Sequence, residues 1–181
     1  PNMTSTTLFR PAPAGKRGQA SGRARVQVTG KAAASGPRAS DPAAPHSVYT
    51  TMGELIGVPL RSEQDILRLQ QAGVPMRAFN RLTRSLPAGG EQVIGSRSSL
   101  RRRAAEGVLS ESESEKALRV TRVLARAMDL FGNEEQARDW FERPADYVRG
   151  AAAISPLQLC AYEVGARIVE NKLLRTRYGV F

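Results

Sequence analysis

Apolar side chains recur every three or four residues over most of the chain from residue 62 onward, which is the spacing of one helix face. Ser62 with Asp65 is typical of a helix N-terminus, and Gly73 predicts the end of that helix. No long run alternates apolar and polar residues, and segments such as residues 48–50 are too short to indicate a sheet. The chain is therefore predicted to be all-α, with six or seven helices.

The clearest helical pattern lies in the last third of the chain. Ser110 and Glu113 have the three-residue separation of a capping box, in which each side chain bonds the other residue's backbone N–H. One apolar stripe follows, formed by Val120, Val123, Leu124, Ala127 and Phe131, and Gly132 is predicted to end this helix. A second helix is predicted to begin at Asn133 and to stop before Pro144.

A further helix is predicted after Ser155, because a serine, a first-turn proline and Gln158 at the third helical position form another capping signal. The apolar stripe is predicted to continue along this helix through Leu157, Ala161, Val164 and Ile168, with Val169 and Leu173 beside it. Gly165 falls in the middle of the helix, where glycine costs about 1 kcal/mol relative to alanine. Close packing against a neighbouring helix or a partner would account for it.

Positive charge is concentrated at the start of the chain. The net charge is +10, of which +6 falls in residues 1–46, with seven Lys/Arg and one Asp, and +4 in residues 47–181. Residues 1–46 are also rich in Pro, Ala, Gly, Ser and Arg, a composition that buries too little apolar area to offset chain entropy. They are predicted to form a disordered basic tail, either a solvated linker or a segment that adds nonspecific affinity for DNA.

A second basic segment, residues 91–107, has the arrangement of a helix-turn-helix. Residues 94–96 fit the end of a first helix and the turn, and a basic helix closed by Gly107 follows. Its polar side chains are the candidate DNA contacts, namely Arg97, Ser98, Ser99, Arg101, Arg102 and Arg103. Residues 87–90 make a poor first helix because they contain a proline and two glycines. An exposed basic helix that binds no nucleic acid is therefore the alternative.

The last seven residues, 175–181, combine two arginines with Tyr178 and Phe181. Free chain ends usually fray and favour small polar residues, so a terminus with two aromatic rings is costly to leave in water. We expect these residues to fold back on the core, to enter a pocket of a partner, or both.

Catalytic chemistry has little support in this sequence. The only histidine, His46, has no second functional group nearby, and the only cysteine, Cys160, has the setting of a buried apolar residue. A zinc site would need several Cys or His ligands, and the glycines at 89–90 lack the Lys-Ser/Thr of a P-loop. No enzyme activity, cofactor or metal is therefore predicted. With one cysteine, no apolar signal segment and no membrane span, the chain is predicted to be cytoplasmic.

From about residue 109 onward the chain resembles the toxin-binding domain of the Xre/ParS/MbcA-type bacterial antitoxins. The motifs that carry the resemblance occur in order, at residues 123–127, 131–137, Trp140, 155–157, 163–170 and 174–181. Upstream, residues 99–103 with Gly107, Leu109 and Ser110 resemble more weakly the Xre-like helix-turn-helix half of these proteins. Two stretches depart from the family pattern. Residues 151–154 replace a more polar segment, and residues 159–162 replace one that often carries an acidic residue and a threonine.

The resemblance implies a type II antitoxin that is encoded with a RES-domain toxin, which uses NAD, and that is itself no enzyme. It implies that the antitoxin binds the toxin and obstructs its NAD pocket with C-terminal residues near the entrance. It also implies a homodimer, and a complex that represses its own promoter by binding operator DNA. By position, the toxin-facing candidates are Glu163, Arg167, Arg175, Arg177, Tyr178, Gly179, Val180 and Phe181.

These features divide the chain into three predicted parts. They are a disordered basic tail (1–46), a helix-turn-helix-like DNA-binding region (47–108) and a C-terminal toxin-binding domain (109–181). Two other functions remain open. One is a stand-alone transcription regulator, which would explain the basic helix and the positive charge without a toxin. The other is an enzyme, which would be supported only by turnover of a substrate by the pure protein.

Overall fold

The structure, a computed structural model, describes residues 47–179. Its α-helices are α1 (Val48–Ile56), α2 (Glu63–Ala72), α3 (Met76–Ser85), α4 (Arg97–Glu106), α5 (Glu111–Phe131), α6 (Glu134–Glu142), α7 (Pro156–Leu159) and α8 (Glu163–Arg177). A short 3₁₀ helix, Gly90–Val93, lies between α3 and α4, and the described residues contain two isolated β-bridges but no strand. The all-α prediction is thereby confirmed. The predictions for residues 1–46, for Val180 and for Phe181 lie outside the described residues.

Local capping signals set most of the helix ends. Ser62, Ser110 and Ser155 each accept a hydrogen bond from the backbone N–H three residues further on, and the capping boxes at Ser110 and Ser155 are complete. Gly107 and Gly132 follow α4 and α5 in the left-handed conformation, with φ of 82° and 70°. These predicted ends are confirmed because each depends only on residues within one turn of the chain.

Helix α1 corrects the sequence analysis, which places the first helical signal at Ser62. Ser47 caps α1, and Met52, Leu55 and Ile56 are buried in the core, where α1 lies against α5 and α3. Its β-branched residues lower the intrinsic helix propensity only slightly, and packing of an apolar face outweighs that preference. The described residues therefore contain eight α-helices, one more than the upper predicted number.

Helix α5 is the centre of the apolar core. The predicted stripe Val120, Val123, Leu124 and Ala127 is fully buried, and Phe131 is half-buried at its end. Helices α1 and α2 pack against α5, and so do α6 and α8. One core therefore contains residues from both the predicted DNA-binding region and the predicted toxin-binding domain.

The predicted continuous helix after Ser155 is wrong. Helix α7 is a single turn, and the chain changes direction through residues 160–162 before α8 begins. Val164, which the spacing places on the apolar stripe, is exposed, and the buried face of α8 consists of Gly165, Ala166, Val169 and Leu173. The stripe fails because the break rotates α8 relative to α7, and a side chain of α5 holds that break.

Candidate functional site

Helix α8 has an exposed face opposite its buried side, and two of the predicted toxin-facing residues, Arg175 and Tyr178, lie on it. Val164, Asn171, Arg175 and Tyr178 are all exposed, and on a regular helix their positions fall within about 60° of one another around the axis. We call these four residues the α8 stripe. It runs from the first turn of α8 to its end, about 21 Å at 1.5 Å per residue.

Arg119 of α5 holds the junction between α7 and α8. Its side chain is only 8% exposed, and its Nη1 donates to the carbonyl oxygens of Cys160 and Ala161, each at 3.1 Å. Its Nε lies 3.2 Å from Glu163 Oε2, and Glu115 pairs with the same guanidinium. Because carbonyl and carboxylate oxygens surround it, the buried cation is satisfied, and it fixes the point at which α8 begins.

Two of the predicted toxin-facing residues bind each other. Arg167 Nε donates to Glu163 Oε1 at 3.0 Å, and this hydrogen bond is the largest influence lowering the pKa of Glu163. Since Glu163 also pairs with Arg119, its carboxylate is already engaged within the protein. Arg167 remains exposed, so of this pair it is the better placed to contact a partner.

The end of α8 is exposed rather than folded back into the core. Tyr178 is 72% exposed, Arg175 is exposed, and Gly179 lies at the surface with φ of 65°. Arg177 is the exception, because it forms an ion pair with Asp129 of α5. The last buried residue of the helix is Leu173; Leu174 is half-buried, and the described residues after it are exposed.

A groove of about 440 Å³ borders the α8 stripe near its end. It is lined by Asp146, Tyr147, Ile168, Asn171, Lys172, Arg175 and Thr176. Lys172 Nζ lies 4.8 Å from the centroid of the Tyr147 ring, a cation–π contact. Burial raises the pKa of Tyr147, so its hydroxyl stays protonated at neutral pH.

The six candidate DNA contacts are all on α4, but they are not equally available. Arg97, Ser98, Arg101 and Arg102 are exposed. Ser99 and Arg103 are half-buried and are hydrogen-bonded to Glu113, at the N-terminus of α5. The exposed four form the face of α4 that can meet a nucleic acid, whereas Ser99 and Arg103 attach α4 to α5.

Glu113 is the point at which α4 and α5 are joined. Its carboxylate accepts hydrogen bonds from Ser99, from the backbone N–H and hydroxyl of Ser110, and from Arg103 Nε at 2.8 Å. Burial of the carboxyl would raise its pKa, but the hydrogen bonds from Ser99, Ser110 and Arg103 outweigh burial and lower the pKa to about 2. The charged form is therefore the one that stabilises the fold.

Replacing Glu113 with Gln is expected to destabilise the protein at neutral pH and to make its free energy of unfolding less sensitive to a fall in pH. The folded-state pKa of Glu113 lies below its ordinary value of 4.5, so its stabilisation is present above pH 4.5 and is lost as pH falls towards 2. We expect roughly 2 kcal/mol lower free energy of unfolding at pH 7, measured by urea denaturation, and a smaller loss than wild type between pH 5 and 2.5. The exposed Glu111→Gln variant, in the same helical turn, is the control. Equal acid sensitivity of Glu113→Gln and wild type would contradict the assignment.

Sequence reasoning found Glu113 as a cap of α5 but missed its bonds to α4, and it missed Arg119 altogether. The signal for Arg119 was an arginine in the middle of a buried helix, four residues after Glu115. Its carbonyl partners are 41 and 42 residues away in sequence, so no local pattern identifies them.

Cys160 is buried, as predicted, and its surroundings make it unreactive. Burial raises the pKa of the Cys160 thiol to about 12, so the nucleophilic thiolate is scarce at neutral pH. Residues 47–179 contain no group of three or more His, Cys, Asp or Glu side chains that could hold a metal ion. None of the helices in that range has the length and apolarity that crossing a membrane requires.

Comparison with known proteins identifies the C-terminal part of the chain. Residues 126–179 match a family described as the antitoxin Xre/MbcA/ParS C-terminal toxin-binding domain, a segment that contains α6, α7 and the whole α8 stripe. A relative from Photorhabdus laumondii, named Antitoxin Xre, is 28% identical over 131 residues, which are 69% of this chain and 86% of that protein. A second Antitoxin Xre, from Yersinia enterocolitica, is 38% identical over 89 residues, which are 49% of this chain and 58% of that protein. The resemblance drawn from the sequence is thus confirmed, since residues 126–179 match the toxin-binding domain family of the Xre/MbcA/ParS antitoxins.

Proposed function

We propose that the chain is a type II antitoxin that binds and neutralises a cognate NAD-using RES-domain toxin by obstructing its active site. The observation that carries the proposal is the exposure of Arg175 and Tyr178 at the end of a well-anchored helix. Arginine and tyrosine are among the residues that most often anchor protein interfaces. Because buried residues hold α8 in place, little further ordering of the backbone is needed on binding.

Obstruction of an active site requires a part of the antitoxin that can enter a cleft. The end of α8 offers exposed residues for this role, because Arg175, Tyr178 and Gly179 are all exposed. A toxin that uses NAD must have a cleft for the nucleotide, and a helix end lodged at its entrance would exclude NAD. The groove beside Arg175 would at the same time accept a side chain protruding from the rim of the toxin cleft.

Co-expression with the product of the adjoining reading frame tests the proposal. We expect that product alone to arrest growth, and the full chain to restore growth and to co-purify with it. NAD levels measured in the arrested cells would identify a toxin that consumes NAD. Persistent arrest, with no co-purification of the two proteins, would exclude the antitoxin function.

DNA binding is the second function that we propose. Residues 47–108 would read the operator of the protein's own promoter, and residues 109–181 would bind the toxin. The exposed side chains of Arg97, Ser98, Arg101 and Arg102 support this, since arginine binds guanine edges and phosphates and serine binds phosphates. A homodimer would present two copies of α4 to two operator half-sites. The complex would act in the cytoplasm, where the operon is transcribed.

Loss of Arg97 and Arg101 together is expected to weaken binding to the promoter and to reduce its salt dependence. Each phosphate contact contributes about 0.9 to the slope of log affinity against log salt, so the double alanine variant should lose up to about 2 in slope. The double variant Arg68→Ala/Arg77→Ala removes the same charge from α2 and α3 and is the control. Fluorescence anisotropy over a salt series measures both quantities, and an unchanged slope would exclude α4 as the reading helix.

A stand-alone regulator is the alternative to the antitoxin. It would bind the promoter with the same dependence on Arg97 and Arg101 but would neither co-purify with the adjoining product nor rescue growth.

A further inference from the structure

Two apolar side chains at the start of α8 are exposed although the rest of the helix buries its apolar residues well. Tyr162 is 71% exposed and Val164 is 70% exposed, whereas Ala166, Val169 and Leu173 are buried. Single exposed apolar residues are common on protein surfaces and require no explanation. Here, however, the two residues flank Glu163, and the structure holds them outward.

The outward placement results from buried interactions at the α7–α8 break. Arg119 binds the carbonyl oxygens of Cys160 and Ala161, which directly precede Tyr162. The helix-continuation pattern in the sequence would instead have placed Val164 on the buried face. A buried arginine and its carbonyl partners thus fix the orientation of this apolar pair, so its exposure is a built feature of the domain.

The surface beside Tyr162 is unusually poor in charge for this chain. Tyr162 lines an open groove of about 920 Å³ between residues 87–93 and residues 142–162. The lining consists of Pro87, Ala88, Gly89, Gly90, Gln92, Val93, Glu142, Pro144, Ala152, Ala153, Ile154, Ser155, Leu157, Gln158, Ala161 and Tyr162. It contains no lysine or arginine, although the chain carries 27 of them. A nucleic acid needs cations on its binding surface, and the one charged residue of the lining is Glu142, so the groove fits an apolar protein segment without acidic side chains instead.

Val164 lies two residues after Tyr162, on the way from the groove to the end of α8. It lies on the α8 stripe with Asn171, Arg175 and Tyr178, all exposed and all within the segment that matches the toxin-binding domain family. Specific protein interfaces involve about 20 to 30 residues on each side, more than the last turn of α8 can supply. A partner that binds Arg175 and Tyr178 and extends along the stripe would reach Val164 and then Tyr162.

We propose that Tyr162 and Val164, together with the groove that Tyr162 lines, form a second contact for the toxin and receive an apolar segment of it that lacks acidic side chains. This inference rests on the proposed antitoxin function. The toxin interface then has two ends, with Arg175 and Tyr178 at one and the apolar pair at the other. The apolar end adds affinity and selects among toxins, whereas the other end obstructs the active site.

The test replaces both residues with serine, as Tyr162→Ser/Val164→Ser in the full chain, and measures binding to the purified product of the adjoining reading frame. Calorimetry is expected to show affinity about 30-fold lower than wild type, because tyrosine is a frequent interface anchor and Val164 adds apolar area beside it. The thermal unfolding midpoint should not change, since neither side chain is in the core. Leu67→Ser on α2, where the leucine is 53% exposed, is the matched apolar control and should bind as wild type does.

The outcomes separate this inference from the function on which it rests. If the wild-type chain does not bind the adjoining product, the proposed antitoxin function itself fails. If the wild-type chain binds the adjoining product and the double variant binds it equally tightly, this inference is overturned while the proposed antitoxin function stands. Light scattering on the free proteins measures self-association and so tests whether a second copy of the chain occupies this surface instead. A double variant that loses self-association but keeps its toxin affinity would assign the surface to a second copy of the chain and would equally overturn the inference.

Discussion

Removal of residues 175–181 is expected to abolish toxin neutralisation while leaving the rest of the fold intact. The truncation ends after Leu174, so every buried residue of α8 is retained, including Leu173. The described residues it removes are exposed, and the one ion pair that it breaks among them, between Arg177 and Asp129, lies at the surface, where such pairs contribute at most about 1 kcal/mol. We therefore expect helical content equal to that of wild type and a thermal midpoint only a few degrees lower.

The functional loss should be large because the truncation removes both exposed anchors of the proposed interface. Loss of an interface arginine or tyrosine often costs roughly 2 kcal/mol or more, so loss of Arg175 and Tyr178 together predicts an affinity on the order of 1,000-fold lower. Two measurements report it, namely growth of cells that co-express the toxin and calorimetric titration of the purified proteins.

Asp129→Asn is the control for the truncation. It breaks the same ion pair with Arg177 but keeps the terminus, so it should reproduce the small loss of stability and still neutralise the toxin. Complete rescue of growth by the truncated chain would show that residues 175–181 do not obstruct the toxin. Equal loss of function in both variants would assign the effect to the ion pair.

The predictions that succeeded depend on neighbours in sequence. Ser110 and Glu113 bond within one turn, and Gly132 needs only its own left-handed conformation to end α5, so both can be recognised without knowing the fold. The apolar stripe of α5 was predicted correctly for a related reason, because helical spacing alone brings Val120, Val123, Leu124 and Ala127 to one face.

The features that sequence reasoning missed depend on distant contacts. Helix α1 is stabilised by packing against α5, some 60 residues further along the chain, so its β-branched segment gave no clear helical signal. The break before α8 depends on Arg119, which lies on a different helix. Ser99 and Arg103 have the residue types of DNA contacts, and only the fold shows that Glu113 binds them.

The candidate site was therefore predictable in part. The resemblance placed the toxin-facing candidates on the segment that matches the toxin-binding domain family, and Arg175 and Tyr178 are exposed there. It could not show that Glu163 is engaged by Arg119 and Arg167, because the first of these partners is 44 residues away in sequence.

Gly165→Ala is expected to have the largest effect on stability of any single methyl addition in this domain. A Cβ at Gly165 would lie 2.2 Å from the carbonyl oxygen of Leu159 and 2.9 Å from its carbonyl carbon. These are backbone atoms at the end of α7, so no side-chain rotation can make room, and α8 must move away from α7. The sequence pattern placed Gly165 in the middle of a helix, whereas it lies in the first turn of α8. Close packing against α7 within the domain explains the glycine there.

The direction in which Gly165→Ala changes the stability of the protein makes this variant informative. In an ordinary helix the replacement of glycine by alanine gains about 1 kcal/mol, so a helix without the close contact would become more stable. Overpacking in a rigid setting costs about 1 to 3 kcal/mol and occasionally more. The overlap with Leu159 is severe, so we expect a net loss of about 3 kcal/mol, or roughly 10 °C in the thermal midpoint. Toxin affinity should fall as well, because a displaced α8 carries Val164, Arg175 and Tyr178 with it.

Gly132→Ala provides the comparison that isolates packing from backbone conformation. Gly132 has φ of 70°, and a methyl group added there would meet no atom within 4 Å, so alanine costs only the left-handed conformation, about 1 to 2 kcal/mol. It also follows the end of α5, away from the proposed toxin-facing residues Val164, Arg175 and Tyr178. Toxin affinity of the folded Gly132→Ala protein should therefore match wild type. A Gly165→Ala protein that is as stable as wild type, or more stable, would show that α7 and α8 are not held in the close contact on which the α8 surface depends.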